Sequence, residues 1–165
     1  MSDAVYTLAD TWRMNQRVNL QLLRQLNDAQ LAYCASPRAR NVGDQLAHLH
    51  NVRIQWLEAS RPAAAKPLKK VTKGAVTREE LQDALEPSAE AIGALLDDAA
   101  KTGKVKAFPR GPAAFLGYLL AHEGHHRGQI ILHLKYAKMP IDTIVSYKVM
   151  GVGKDLTENP FPGRR

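Results

Sequence analysis

Four stretches in which apolar side chains return every three or four residues, each closed by proline or glycine, constrain this chain to helix packed on helix. The first covers residues 4–28, with Val5, Leu8, Trp12, Leu23 and Leu26 on one face, before Ser36-Pro37-Arg38 breaks the pattern. The second runs from about Gly43 to Ala59, where Leu49, Val52 and Trp56 share a face and Arg61-Pro62 ends it. A linker rich in Pro, Lys and Ala follows to about Val76, long enough to serve as a crossover. Thr77-Arg78-Glu79-Glu80 has the capping-box spacing and opens a third helix to about Ala100, with Gly103 just beyond it. Pro109-Arg110-Gly111-Pro112 opens the fourth, which reaches about Lys138 and stops before Pro140. A short helix is expected from Thr143 to Met150, ahead of a Pro/Gly-rich end.

With no β-hairpin signal and no internal repeat, the expectation is an all-α four-helix bundle. It has a long crossover between the second and third helices and a short extra C-terminal helix. A length of 165 residues suits a single domain, residues 1–140 forming the bundle and 141–165 an extension. No apolar run approaches the roughly 20 residues of a membrane span, so no membrane partner is expected. The acidic start and the single cysteine, Cys34, fit a cytoplasmic protein without disulfides, the thiol half-buried at a helix end. The formal charge of +7 is scattered over loop lysines with no interleaved aromatics, which argues against a nucleic-acid partner.

The six histidines all lie in the second and fourth helices. At about 100° per residue, His122 and His126 project about 40° apart, into the arc of Phe115, Leu119 and Ile130. His125 falls at the edge of that arc, and His133 lies roughly 10 Å along the axis, too far for a shared ion. On the second helix His48 shares the inward arc with Val52 and Ala59, while His50 falls opposite, towards solvent or a partner. Three inward imidazoles, His48, His122 and His126, suit a divalent metal, zinc or nickel first and iron or another transition metal next. Three ligands leave coordination positions open, as catalysis requires.

The run His122-Glu123-Gly124-His125-His126 also satisfies HExxH, in which the Glu is the general base of a zinc protease. The extended forms fail here. Gln129 and Leu132 stand where a glycine and a histidine are needed, and only Glu158 offers a downstream carboxylate. Glu123 is expected instead to pair with Arg127 one turn on. Around the site, Asn15 and Asn19 are inward amides that either tie helices together or orient a substrate. Asp44 reads first as a helix cap and second as an acceptor for the free N–H of His48. Gln129 can reach the open side of the metal, and Gly128 invites close approach of another helix.

These residues resemble the DinB-like superfamily, the damage-inducible and YfiT-like metalloproteins. The likeness rests on Trp12-Arg13-Met14-Asn15, on Leu46-Ala47-His48 with Trp56-Leu57, and above all on His122 to Gln129, which fits the signature HxxxHRGQ. Met139-Pro140, Tyr147-Lys148 and Gly151-Val152-Gly153-Lys154 extend it towards the C-terminus. The resemblance implies an up-down-down-up bundle, often a homodimer, with a divalent metal on the three histidines. It also implies a small-molecule substrate. Members of that superfamily include S-transferases that use bacillithiol or mycothiol and a mycothiol-dependent maleylpyruvate isomerase, beside many of unassigned activity. The expected activity is therefore activation of a low-molecular-weight thiol, or of water in a hydrolase, with a non-catalytic metal-binding bundle as the contrasting possibility.

Overall fold

The computed structural model describes residues 6–141. The short helix expected over Thr143–Met150, like the rest of the C-terminal extension, lies outside them.

Among the described residues the chain is all-helical, with four long helices and two short ones. Helix α1 is Leu8–Gln25. It begins later than residue 4 because the Thr7 and Asp10 side chains close a reciprocal capping box. It also ends sooner than expected, because Asn27 starts a helix of its own. Its side chain caps α2, Asp28–Ala32, in a second box with Gln30. Helix α3, Val42–Ser60, is capped by Asn41 and stopped by Arg61-Pro62, and Pro62 opens the short α4, Pro62–Ala65. The Thr77–Glu80 box opens α5, Arg78–Thr102, and Gly103 ends it at φ 71°, in the left-handed region that glycine adopts freely. Helix α6 is Pro112–Tyr136, with Pro112 in its first turn.

Helix α5 packs along both α1 and α3, and α6 lies against the same two. The core divides into two apolar clusters. One gathers Leu22 and Leu23 of α1, Leu46 and Leu49 of α3, Leu81 and Leu85 of α5, and Ile130 and Leu134 of α6. The other gathers Trp12, Leu57, Ile92, Leu96, Phe115 and Leu119 from the same four helices. Between them in every helix lies a buried polar layer. Arg53 is fully buried and donates from Nε to Glu123 Oε1 at 2.8 Å and from Nη2 to Gln16 Oε1 at 2.8 Å. Its Nη1 reaches the Leu85 carbonyl at 2.9 Å, and its guanidinium sits 4.8 Å from the Trp12 ring centroid. Arg53 is thereby satisfied by carboxylate, carbonyl, amide and ring together, the condition under which a buried charge is tolerated.

The long connection after α3 covers the outer face of that helix. Asn51 exchanges hydrogen bonds with Val71, donating to its carbonyl at 2.8 Å and accepting its N–H at 3.0 Å. His50, expected to face solvent or a partner, is buried and donates from Nε2 to the Lys69 carbonyl at 2.8 Å. Ala59, placed on the inward arc by projection, is exposed. A helix covered on two sides has no single apolar stripe, so its projection misassigned both residues. Cys34, expected half-buried, is exposed, with its thiol donating to the Ser36 carbonyl at 2.8 Å. No described helix is long and apolar enough to cross a membrane.

Candidate metal centre

His48 projects from α3 and His122 and His126 from α6, one helical turn apart, so that three imidazoles meet where the two helices pass. One nitrogen from each lies within 4.8 Å of the others. The ring centroids are 4.9 Å apart for His48–His126 and His122–His126, and 5.3 Å for His48–His122, with the planes steeply inclined. Inclined rings aim their nitrogens at a common point instead of stacking. The Nδ1 atoms of His122 and His126 are buried with no hydrogen-bond partner among the described residues. An orphaned buried imidazole nitrogen is costly, and a bound cation is one of the few groups that would satisfy it.

Burial pushes all three imidazoles below their usual value, and the neighbouring rings and Arg40 push the same way. His126, the most buried, is lowered to about 4. The site therefore holds neutral rings at pH 7, the protonation state that binds a metal. His122 also stacks on Tyr118, 6.1 Å away and 17° from parallel, at the edge of an aromatic wall of Tyr118, Trp56 and Phe108. On the other side His126 opens into a cleft of about 440 Å³, lined also by Arg38, Arg40, Asp44, Lys73 and Gln129.

The DinB family profile matches residues 1–137. The chain belongs to the DinB family. Among solved structures it is similar to the DinB-like protein YjoA of Bacillus subtilis, at 12% identity and a TM-score of 0.56, over 79% of this chain and 92% of that one. That likeness extends to the fold. No curated protein matches the chain.

The three histidines form a group compatible with a divalent ion, and the remaining residues fall on either side of it. His125 is exposed and, with His133, stands outside the three-histidine group. Glu123 is withdrawn from it. Besides the bonds from Arg53, its Oε2 accepts from Asn15 and from Asn19, the latter at 2.7 Å. Burial alone would raise the Glu123 carboxyl, but the Arg53 guanidinium, the Asn19 amide and the Arg127 charge together outweigh it and hold the group below the usual carboxylate range. A carboxylate so occupied is not a general base, which removes the basis of the HExxH reading.

The expected Glu123–Arg127 pair is replaced by a longer circuit. Arg127 donates to the amide oxygens of Asn15 and Asn19 at 2.8 and 2.7 Å, and those amides donate in turn to Glu123. The two asparagines thus tie α1 to α6 within the buried layer. Asp44 is not the helix cap; Asn41 is, and Asp44 Oδ1 accepts the Gly74 N–H at 3.0 Å instead. Gln129 lies half-buried in the cleft wall beside His126. Gly128 is exposed, and a Cβ there would meet nothing within 4 Å, so no close approach within the described residues explains it. Arg53 carries a signal in the sequence that points to burial but not to its partner. It stands at helical spacing from Leu46, Leu49 and Leu57, a charge in an apolar arc.

Proposed function

We propose that His48, His122 and His126 hold a divalent metal, zinc or nickel, and that the protein is a metal-dependent enzyme acting on a small molecule through an activated thiol or water. The observation that carries this reading is the convergence of three imidazoles held neutral by burial, two of them with buried nitrogens that have no partner among the described residues. A metal bound there would supply Lewis-acid chemistry, bringing a bound thiol or water towards ionisation at neutral pH. The chain's own residues hold the rings neutral, orient them from two helices and leave the His126 side open to a substrate. That opening favours turnover over a sealed structural site, which takes four protein ligands. Thiol S-transfer is the preferred reaction and hydrolysis the second.

In this reading the four long helices form an up-down-down-up bundle. Support comes from the order in which they meet the two apolar clusters: α1 and α6 pass from the Trp12 cluster to the Leu22 cluster, α3 and α5 the reverse way. The protein is read as a cytoplasmic homodimer. Elemental analysis of the purified protein beside His48→Ala and His126→Ala tests the ligand set. Near-stoichiometric metal in the parent and loss of most of it in both variants is expected; undiminished metal in both would end the proposal. Conjugation assays across several low-molecular-weight thiols with the metal-loaded protein then test the reaction.

A further inference from the structure

We propose that the cleft beside the three histidines is an anion-binding subsite in which Arg38, Arg40 and Lys73 hold a carboxylate or phosphate group of the substrate. The inference rests on the three-histidine reading for its role in a reaction, but its chemistry stands separately. The cleft wall carries three cations against one carboxylate, Asp44. That carboxylate already accepts the Gly74 N–H. Among the described residues no carboxylate forms an ion pair with Arg38, Arg40 or Lys73, whereas Arg13, Arg53, Arg61 and Lys70 each have an acidic partner. Positive charge left uncompensated around a concave opening concentrates anions there.

The cations sit on two tied segments. Arg38 and Arg40 flank Ala39, whose N–H donates to the Ser36 carbonyl at 3.0 Å and whose carbonyl accepts from the Cys34 thiol at 3.2 Å. Lys73 precedes Gly74, which Asp44 clips to the first turn of α3. A fourth group completes the wall. Gln45 is 4% exposed, lines the cleft, and its amide oxygen has no partner among the described residues. An amide turned about its last bond offers N–H in place of that oxygen, a neutral donor for an anion. His126 of the three-histidine group lines the same cleft as Arg40. An anion seated at Arg40 therefore lies beside that group, as a substrate anchored near its reacting atom must.

Two measurements on the full chain decide it. Calorimetry with succinate and with inorganic phosphate is expected to show saturable, salt-sensitive binding of at least one, and the stronger of the two identifies the anion. Arg40→Ala should weaken it about tenfold, a charge-assisted contact being lost, and Arg40→Glu more. Absence of binding for both anions, or affinity unchanged in Arg40→Glu, would overturn the proposal. In the second measurement the protein is loaded with cobalt(II), and thiolate-to-metal absorption compares 3-mercaptopropionate with 2-mercaptoethanol. The carboxylate thiol should bind about tenfold tighter, with the preference lost in Arg40→Ala. Equal affinities would sink the anion subsite while leaving the three-histidine reading intact. Failure to take up cobalt with anion binding retained would sink the metal reading alone.

Discussion

Arg53 and Glu123 show what a buried charge requires of its surroundings. Each acceptor and donor has a named partner, and removal of one member strands the other in an apolar interior. Glu123→Leu is expected to cost about 3–5 kcal/mol in urea denaturation, and the double replacement with Arg53→Met to be more stable than Glu123→Leu alone. If the double variant is instead the weaker, Arg53 stabilises through Leu85, Gln16 and Trp12 even without the carboxylate. The histidines give a pH prediction for the metal-free protein. An unfolded imidazole takes its proton near pH 6.5, whereas folded His126 does so at about 4. Between those values the unfolded chain binds more protons, so stability is whole above about pH 6.5, falls as the pH drops, and levels off below about 4. The loss attributable to His126 is about 3 kcal/mol. Urea midpoints at a series of pH values check it, and a flat profile from pH 7 to 4.5 would contradict the burial of the ring.

At the scale of single elements, the caps and the crossover set where the site residues stand. Thr77→Ala removes the side-chain acceptor of the α5 capping box and should lower stability by about 1 kcal/mol, read in a thermal melt. Gly43 matters through packing. A Cβ there would lie 2.6 Å from Val76 Cγ2, on a β-branched side chain with little freedom to retreat. Gly43→Ala is expected to cost about 1–3 kcal/mol and to loosen the crossover end that carries Lys73. The caps at Thr77 and the stop at Arg61-Pro62 were readable because they act within four residues. The Asn27–Gln30 box has the same spacing, but the apolar pattern continues through it and hides the break. The two-sided burial of α3 was beyond local reading, because the segment covering His50 lies about one crossover away in the chain.

At the scale of the whole molecule, α6 is apolar on more sides than its neighbours among the described residues cover. Tyr118, Leu132 and Tyr136 are exposed on it, Tyr136 by 80%, beside the small residues Ala114, Gly117 and Ala121. A second copy laid antiparallel sets the large residues of one end over the small ones of the other, the self-complementarity that a two-fold dimer needs. Sedimentation velocity is expected to find a dimer, and Leu132→Glu to shift it towards monomer with the fold retained in circular dichroism; a monomeric parent would refute this interface. The sequence by itself determined the helical class, the Thr77 cap of α5 and the Pro112 opening of α6, and it nominated His122 and His126 over His125, because each follows from spacing within a few turns. It also nominated His48, through one shared helical face. Only the tertiary structure decided that Glu123 belongs to Arg53, that the asparagines close the circuit to Arg127, and that Arg38, Arg40 and Lys73 stand around the cleft. Those partners lie on different helices and loops, and the long-range packing that joins them leaves no period in the chain.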